Sequence, residues 1–129
     1  MGERFWIACG GFSAAIAVAE GAIGAHVLKE VLQLPERELQ TYDVAVRYQM
    51  AHSLGLILLG LIVARRPSRL MTAAGWALVL GILLFSGGIY AWLASGIRAF
   101  VHIVPVGGSL WIVGWLLIAI GAARPSTKA

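Results

Sequence analysis

Ten side chains of this sequence are of types that move protons, ligate metals or hold charged ligands, yet stand within or beside apolar runs: Glu20, His26, Arg47, Tyr48, Gln49, His52, Ser86, Tyr90, Arg98 and His102. A glutamate beside Arg, His and Tyr inside a membrane is the kind of constellation that relays protons or recognises a ligand. Three histidines on separate segments also raise bis-imidazole haem ligation. Spacing groups some of them: Tyr48 and His52 are four apart and Gln49 and His52 three apart, so on a helix they share about one face, as do Ser86 and Tyr90. Against haem or a metal stand the absence of any CxxCH or HExxH pattern and histidine depths that differ by up to about 12 Å at a helical rise of about 1.5 Å per residue. Against catalysis stands the absence of a GxSxG elbow, a phosphate loop or paired carboxylates. The expectation is no catalytic residue, no metal and no cofactor. Cys9 is the single cysteine and has no intrachain partner.

These groups need elements to carry them, and composition says which. Of 129 residues, 60% are hydrophobic and 12% charged, with mean hydropathy +0.85. A soluble domain has about a quarter charged residues, so this chain belongs in a bilayer. The net charge of +4 is spread along the chain with no basic helix or aromatic platform, which argues against nucleic acid. Charge-poor runs long enough for a core about 30 Å thick mark four spans, at about residues 5–25, 44–64, 71–93 and 102–122. They lack the alternation of a membrane barrel. The expected fold is an all-α integral membrane protein, a single four-transmembrane-helix domain over 1–129. Arg4, the apolar stretch and Ala17-Val18-Ala19 also match a secretory signal, but the four-span reading keeps that segment and puts both termini on one side.

Six basic residues, Arg4, Arg65, Arg66, Arg69, Arg124 and Lys128, fall on the side of the termini, which predicts cytoplasmic termini. Trp6, Trp92 and Trp111 lie near span ends, where interfacial aromatics settle, and Trp76 and Trp115 call for helix packing instead. Between spans one and two, Val27, Leu28, Val31, Leu32 and Leu34 oppose Lys29, Glu30 and Gln33. This predicts a short amphipathic helix on the outer surface, ended by Pro35. Glu36 and Glu38 suit a helix start just after that proline, and Asp43 and Arg47 are spaced to pair.

By rise per residue, Glu20 lies roughly 8 Å below the outer boundary, Arg47 roughly 4 to 5 Å and His52 roughly 12 Å. An unpaired charge there costs several kcal/mol, so Glu20 needs a partner. Arg47, at similar depth and able to bind a carboxylate through two hydrogen bonds, is the preferred one, and Arg98 the second. Small residues, Ala17, Gly21, Gly24 and Ala25 around the glutamate, Gly81 and Gly88, and Gly107, Gly114 and Gly121, form stripes that admit close helix approach.

GAIGAH at 21–26, VRYQMAH at 46–52, LFSGGIYA at 84–91, PVGG at 105–108 and Gly114-Trp115 resemble domain-of-unknown-function family 423, the YgdD-like small inner-membrane proteins related to eukaryotic transmembrane protein 256. The resemblance implies a four-helix protein of the bacterial inner membrane and carries no biochemical activity. The function expected is a structural or accessory membrane subunit whose outer-half polar cluster fixes helix register. Its partners are membrane lipids and another membrane protein or a homo-oligomer. The alternative is lipid or quinone binding at Arg47, Tyr48, His52 and Arg98. Proton-linked transport is weaker still, because no ionisable residue but Cys9 continues the path inward.

Overall fold

The computed structural model describes residues 1–124. Lys128, one of the basic residues counted on the side of the termini, lies outside the described residues. Four helices are long and apolar enough to cross a membrane: α1 (Glu3–Val31), α2 (Glu36–Arg65), α3 (Arg69–Ser95) and α4 (Ala99–Ala123). No strand occurs among the described residues.

Local sequence explains where each helix stops. Past Ala22, α1 widens into π winding over Ile23–Val31, closed by Leu32 N–H donating to Val27 O at 2.8 Å. Gln33 then takes a positive φ of 50° and Pro35 breaks the run. The amphipathic segment expected as a separate surface helix is thus the end of α1 itself. In α2, Pro35 O accepts from Glu38 N–H at 2.9 Å and from Leu39 N–H at 3.1 Å, and Glu36 and Glu38 occupy the positive first turn. Ser68 caps α3 by accepting from Met71 N–H at 3.2 Å. Gly96, at φ 71°, ends α3 in the left-handed conformation that glycine adopts without steric penalty.

The helices are unequal. Of the most apolar window in each, 44% is buried in α2 and 39% in α3, against 11% in α1 and 17% in α4, so α2 and α3 form the centre and α1 and α4 flank it. Lipid is as apolar as leucine, so helices join here by fit rather than by leaving water. Large rings fill glycine sockets. Trp6 is fully buried against Gly75, where a Cβ would stand 2.5 Å from its ring. Trp111 lies on Gly81, with 2.3 Å to such a Cβ, and Trp115 on Gly55, with 2.9 Å. Trp6 and Trp111 are therefore core residues and not the interfacial anchors that their positions near span ends suggest. Trp76, in contrast, packs edge-on to Trp6 with centroids 5.7 Å apart. Trp6 Nε1 is buried with no hydrogen-bond partner among the described residues.

Neighbouring glycines of α1 differ sharply in surroundings. A Cβ on Gly10 would lie 2.6 Å from Ser53 O and 3.0 Å from Ile57 N, both backbone atoms that cannot move aside, whereas one on Gly11 meets nothing within 4 Å. Gly10→Ala is expected to lower stability by about 1–3 kcal/mol through forced separation of α1 and α2. Gly11→Ala should be neutral or stabilising by up to about 1 kcal/mol. Thermal unfolding in mild detergent checks the pair, and equal effects would refute the packing.

Candidate functional site

The polar side chains of the interior gather where α1, α2 and α3 meet. Glu20, half-buried on α1, has Tyr42 of α2 as its partner: the Tyr42 hydroxyl lies in hydrogen-bonding reach of the Glu20 carboxylate and 2.9 Å from the Glu20 carbonyl. Gly24 makes room for this approach, since a Cβ there would stand 2.8 Å from Tyr42 Cε1. The Tyr42 ring meets Tyr90 of α3 at 5.2 Å between centroids. Tyr90 in turn donates to Gln49 Oε1 at 2.8 Å, and Gln49 Nε2 donates to Ser13 O at 3.1 Å. Ser53 Oγ stands 2.6 Å from Gln49 O and 2.7 Å from Ser13 Oγ, so the Ser53 proton on the carbonyl lets its oxygen accept from Ser13. Ser86, fully buried, donates to Ala45 O at 2.7 Å. Each bond joins two helices except Ser53 to Gln49 O, which turns back on α2.

A second group lies between α2 and α4. The His52 imidazole stacks on Trp111 with centroids 3.7 Å apart and planes 8° apart, and its Nδ1 lies 2.6 Å from Tyr48 O. That contact assigns the proton to Nδ1, because a carbonyl only accepts. Half-exposed Tyr48 lies nearly parallel to both rings, 5.7 Å from Trp111 and 6.0 Å from His52, and Phe85 stands 4.6 Å from Trp111 and 5.6 Å from Tyr48. Trp111 Nε1 donates to Leu78 O at 3.2 Å.

Glu20, Gln49, Ser86 and Tyr90 thus lie in one place, and Tyr48 and His52 in an adjoining one. Four others lie apart. His26 is exposed, with Nδ1 3.7 Å from Glu30 Oε2. Arg98 and His102 are exposed at the start of α4. Arg47 pairs with Asp43 on the surface of α2, as the four-residue spacing predicts. The preferred Glu20–Arg47 pair is therefore not formed, and neither is Glu20–Arg98: among the described residues the ion pairs are His26–Glu30 and Asp43–Arg47. The reason is angular. At about 100° per residue, Arg47 points about 140° away from Tyr42 and about 200° from Gln49, whose face is the buried one. Matching depth alone does not bring two side chains together.

Tyr42 is the residue that the sequence reading missed. The signal was present, since Tyr42, Ala45, Gln49, His52, Leu56, Leu59 and Val63 recur at helical spacing and are all buried. Beside the Glu20–Tyr42 contact a cavity of about 330 Å³ opens toward the end of α1 with the π winding, with Lys29, Glu36 and Asp43 at its polar wall. Among the small residues, Ala17 is buried and Ala25 exposed. Gly88, Gly107, Gly114 and Gly121 would each bring a Cβ within 3.4 Å of a neighbouring helix, and Gly21 would reach Val46 at 3.7 Å.

Tyr42→Phe leaves the carboxylate without its donor and is expected to cost about 1–3 kcal/mol of stability. Arg47→Gln loosens only an exposed pair and should change stability by less than about 1 kcal/mol. Thermal unfolding of both variants in detergent decides it, and a larger loss from Arg47→Gln would overturn the assignment.

The sequence has relatives. The chain is 40% identical over 121 residues to a UPF0382 membrane protein of Staphylococcus saprophyticus, covering 94% of this chain and 98% of that one. It is 35% identical over 123 residues to the UPF0382 membrane protein YwdK of Bacillus subtilis, covering 94% and 98%. With the UPF0382 inner membrane protein YgdD of Escherichia coli the identity is 34% over 128 residues, covering 99% and 96%. None of these names carries a catalytic activity. No solved structure matches. The family model described as Protein of unknown function (DUF423) matches residues 20–108, which run from the glutamate of the polar cluster to the glycine pair of α4, and the chain belongs to that family of membrane proteins.

Proposed function

We propose that this membrane protein is a structural or accessory subunit of a larger membrane assembly, without catalysis of its own, its termini in the cytosol. One observation carries the reading: Glu20, Tyr42, Gln49, Ser53, Ser86 and Tyr90 are engaged with each other or with groups of neighbouring helices, so their chemistry goes into fastening α1, α2 and α3. A buried polar group in lipid has no water to turn to, and pairing across helices sets register as well as stability. The outward faces of α1 and α4, with Phe12, Val18, Ile112 and Leu116 exposed, supply apolar surface for a neighbouring transmembrane helix or a second copy. The cytosolic orientation is supported by Arg65, Arg66 and Arg69, clustered at the end of the bundle where α1 begins and α4 ends.

Lipid or quinone binding at Arg47, Tyr48, His52 and Arg98 loses its two arginines, which face outward, and keeps the aromatic stack of Tyr48, His52 and Trp111. Purification of the tagged native protein from its own membrane in mild detergent is expected to recover a stoichiometric membrane-protein partner or a defined homo-oligomer. Recovery of a monomer, time after time, with a tightly held quinone by mass spectrometry sinks the accessory reading and favours the alternative.

A further inference from the structure

At the end of the bundle remote from Glu20, a groove of about 460 Å³ runs between α2 and α4, lined by Leu58, Leu61, Ile62, Arg65, Arg66 and Ala122. Its composition is that of an amphiphile's complement. Leu58 and Leu61 are more than half exposed in its apolar floor, and two arginines stand at its mouth. From Leu58 to Arg65 the floor spans about 10 Å along α2 at the helical rise, so the apolar part lies at acyl-chain depth and the guanidiniums at the boundary. Neither arginine has an acid partner among the described residues, whose two ion pairs lie at the opposite end of the bundle. Glu3 is the acid of this end. It sits on α1, whose backbone packs over Gly60, and it forms no ion pair with Arg65 or Arg66. Ala122, one residue before the end of α4 at Ala123, contributes only a methyl group to the α4 wall. Two adjacent planar cations that no acid among the described residues neutralises, set over an apolar trough, match a phosphodiester with an attached chain.

We propose that this groove is a site for one anionic phospholipid of the leaflet on the arginine side, its phosphate held by Arg65 and Arg66 and one acyl chain lying along Leu58, Leu61 and Ile62. The site is independent of the polar cluster at the other end and of any subunit partner.

The test uses the full chain in a neutral detergent, with phosphatidylglycerol, phosphatidylcholine and inorganic phosphate as probes, read by native mass spectrometry and by the rise in Tm. Phosphatidylglycerol is expected to remain bound and raise Tm where phosphatidylcholine does not. Arg65→Gln/Arg66→Gln should weaken that binding roughly tenfold or more. Leu61→Trp, which fills the trough without changing charge, should also weaken it, whereas Arg37→Gln at the opposite end should leave it intact. Equal binding of the two lipids, equal loss in Arg37→Gln, full retention in Leu61→Trp, or inorganic phosphate reproducing the Tm shift would each overturn the proposal.

Discussion

Polar side chains within a bilayer must find their partners inside the protein, and in this bundle that requirement converges on Gln49. Its amide oxygen accepts a hydrogen bond from the Tyr90 hydroxyl and its amide nitrogen donates one to the Ser13 carbonyl, so one side chain of α2 ties α3 and α1 together. A leucine there would fill the space but leave the Tyr90 hydroxyl and the Ser13 region without these bonds. The helices would still associate by shape, and among these polar contacts a slide of α1 by one turn would then break Glu20–Tyr42 and Ser13–Ser53 alone. Glu20 extends the same logic to a carboxylate: a phenol donor on α2 lies closer to its face than any cation.

Where no polar group specifies register, glycine does. At the arginine end, Trp6 enters the notch at Gly75 and Gly60 lets α2 approach α1, where a Cβ would come within 2.5 Å of Ile7 and 3.0 Å of Glu3 O. Among the described residues the indole of Trp6 has no partner at Nε1, a cost of burial that its close ring packing at Gly75 offsets. Trp111 reaches the same kind of socket at Gly81 and in addition satisfies its N–H on Leu78 O. Both devices rely on backbone access that only glycine provides.

Much of this was legible in the sequence. Charge-free length sets the helices, Pro35 and Gly96 set two of their ends, and the spacing of Asp43 and Arg47 sets their pair. What the sequence does not display is phase. Depth is a sum of rises and can be counted, but facing depends on rotation, and on α2 that rotation turns Arg47 out and Tyr42 in. The π winding, over Ile23–Val31 on α1 and over Ile82–Ser86 on α3, compounds the problem. One turn of wider winding shifts the face of every later residue, so the alignment of Ser86 with Ala45 O and of Phe85 with the backbone gap at Gly107 follows only from the folded chain. The same winding in Ile23–Val31 keeps the amphipathic stretch on α1 where a break was expected.

The two π segments flank the polar ladder on α1 and α3, and their positions are consistent with a single demand. Close helix contact wants small residues on one stripe, and hydrogen bonding wants Tyr42, Gln49, Ser86 and Tyr90 on facing sides at one level. A straight helix of constant phase meets both only if the two patterns happen to coincide. On α3 the socket for Trp111 at Gly81 comes just before the wide turn and the donors Ser86 and Tyr90 come at its end and after it. Past the turn α3 presents Ser86 and Tyr90 to α2 while Gly88 still meets Val104 and Phe100 O of α4. That makes the irregular winding a consequence of asking one helix to serve two neighbours, and it concentrates specification at the centre of the bundle. The outer faces of α1 and α4 are left free of internal demands.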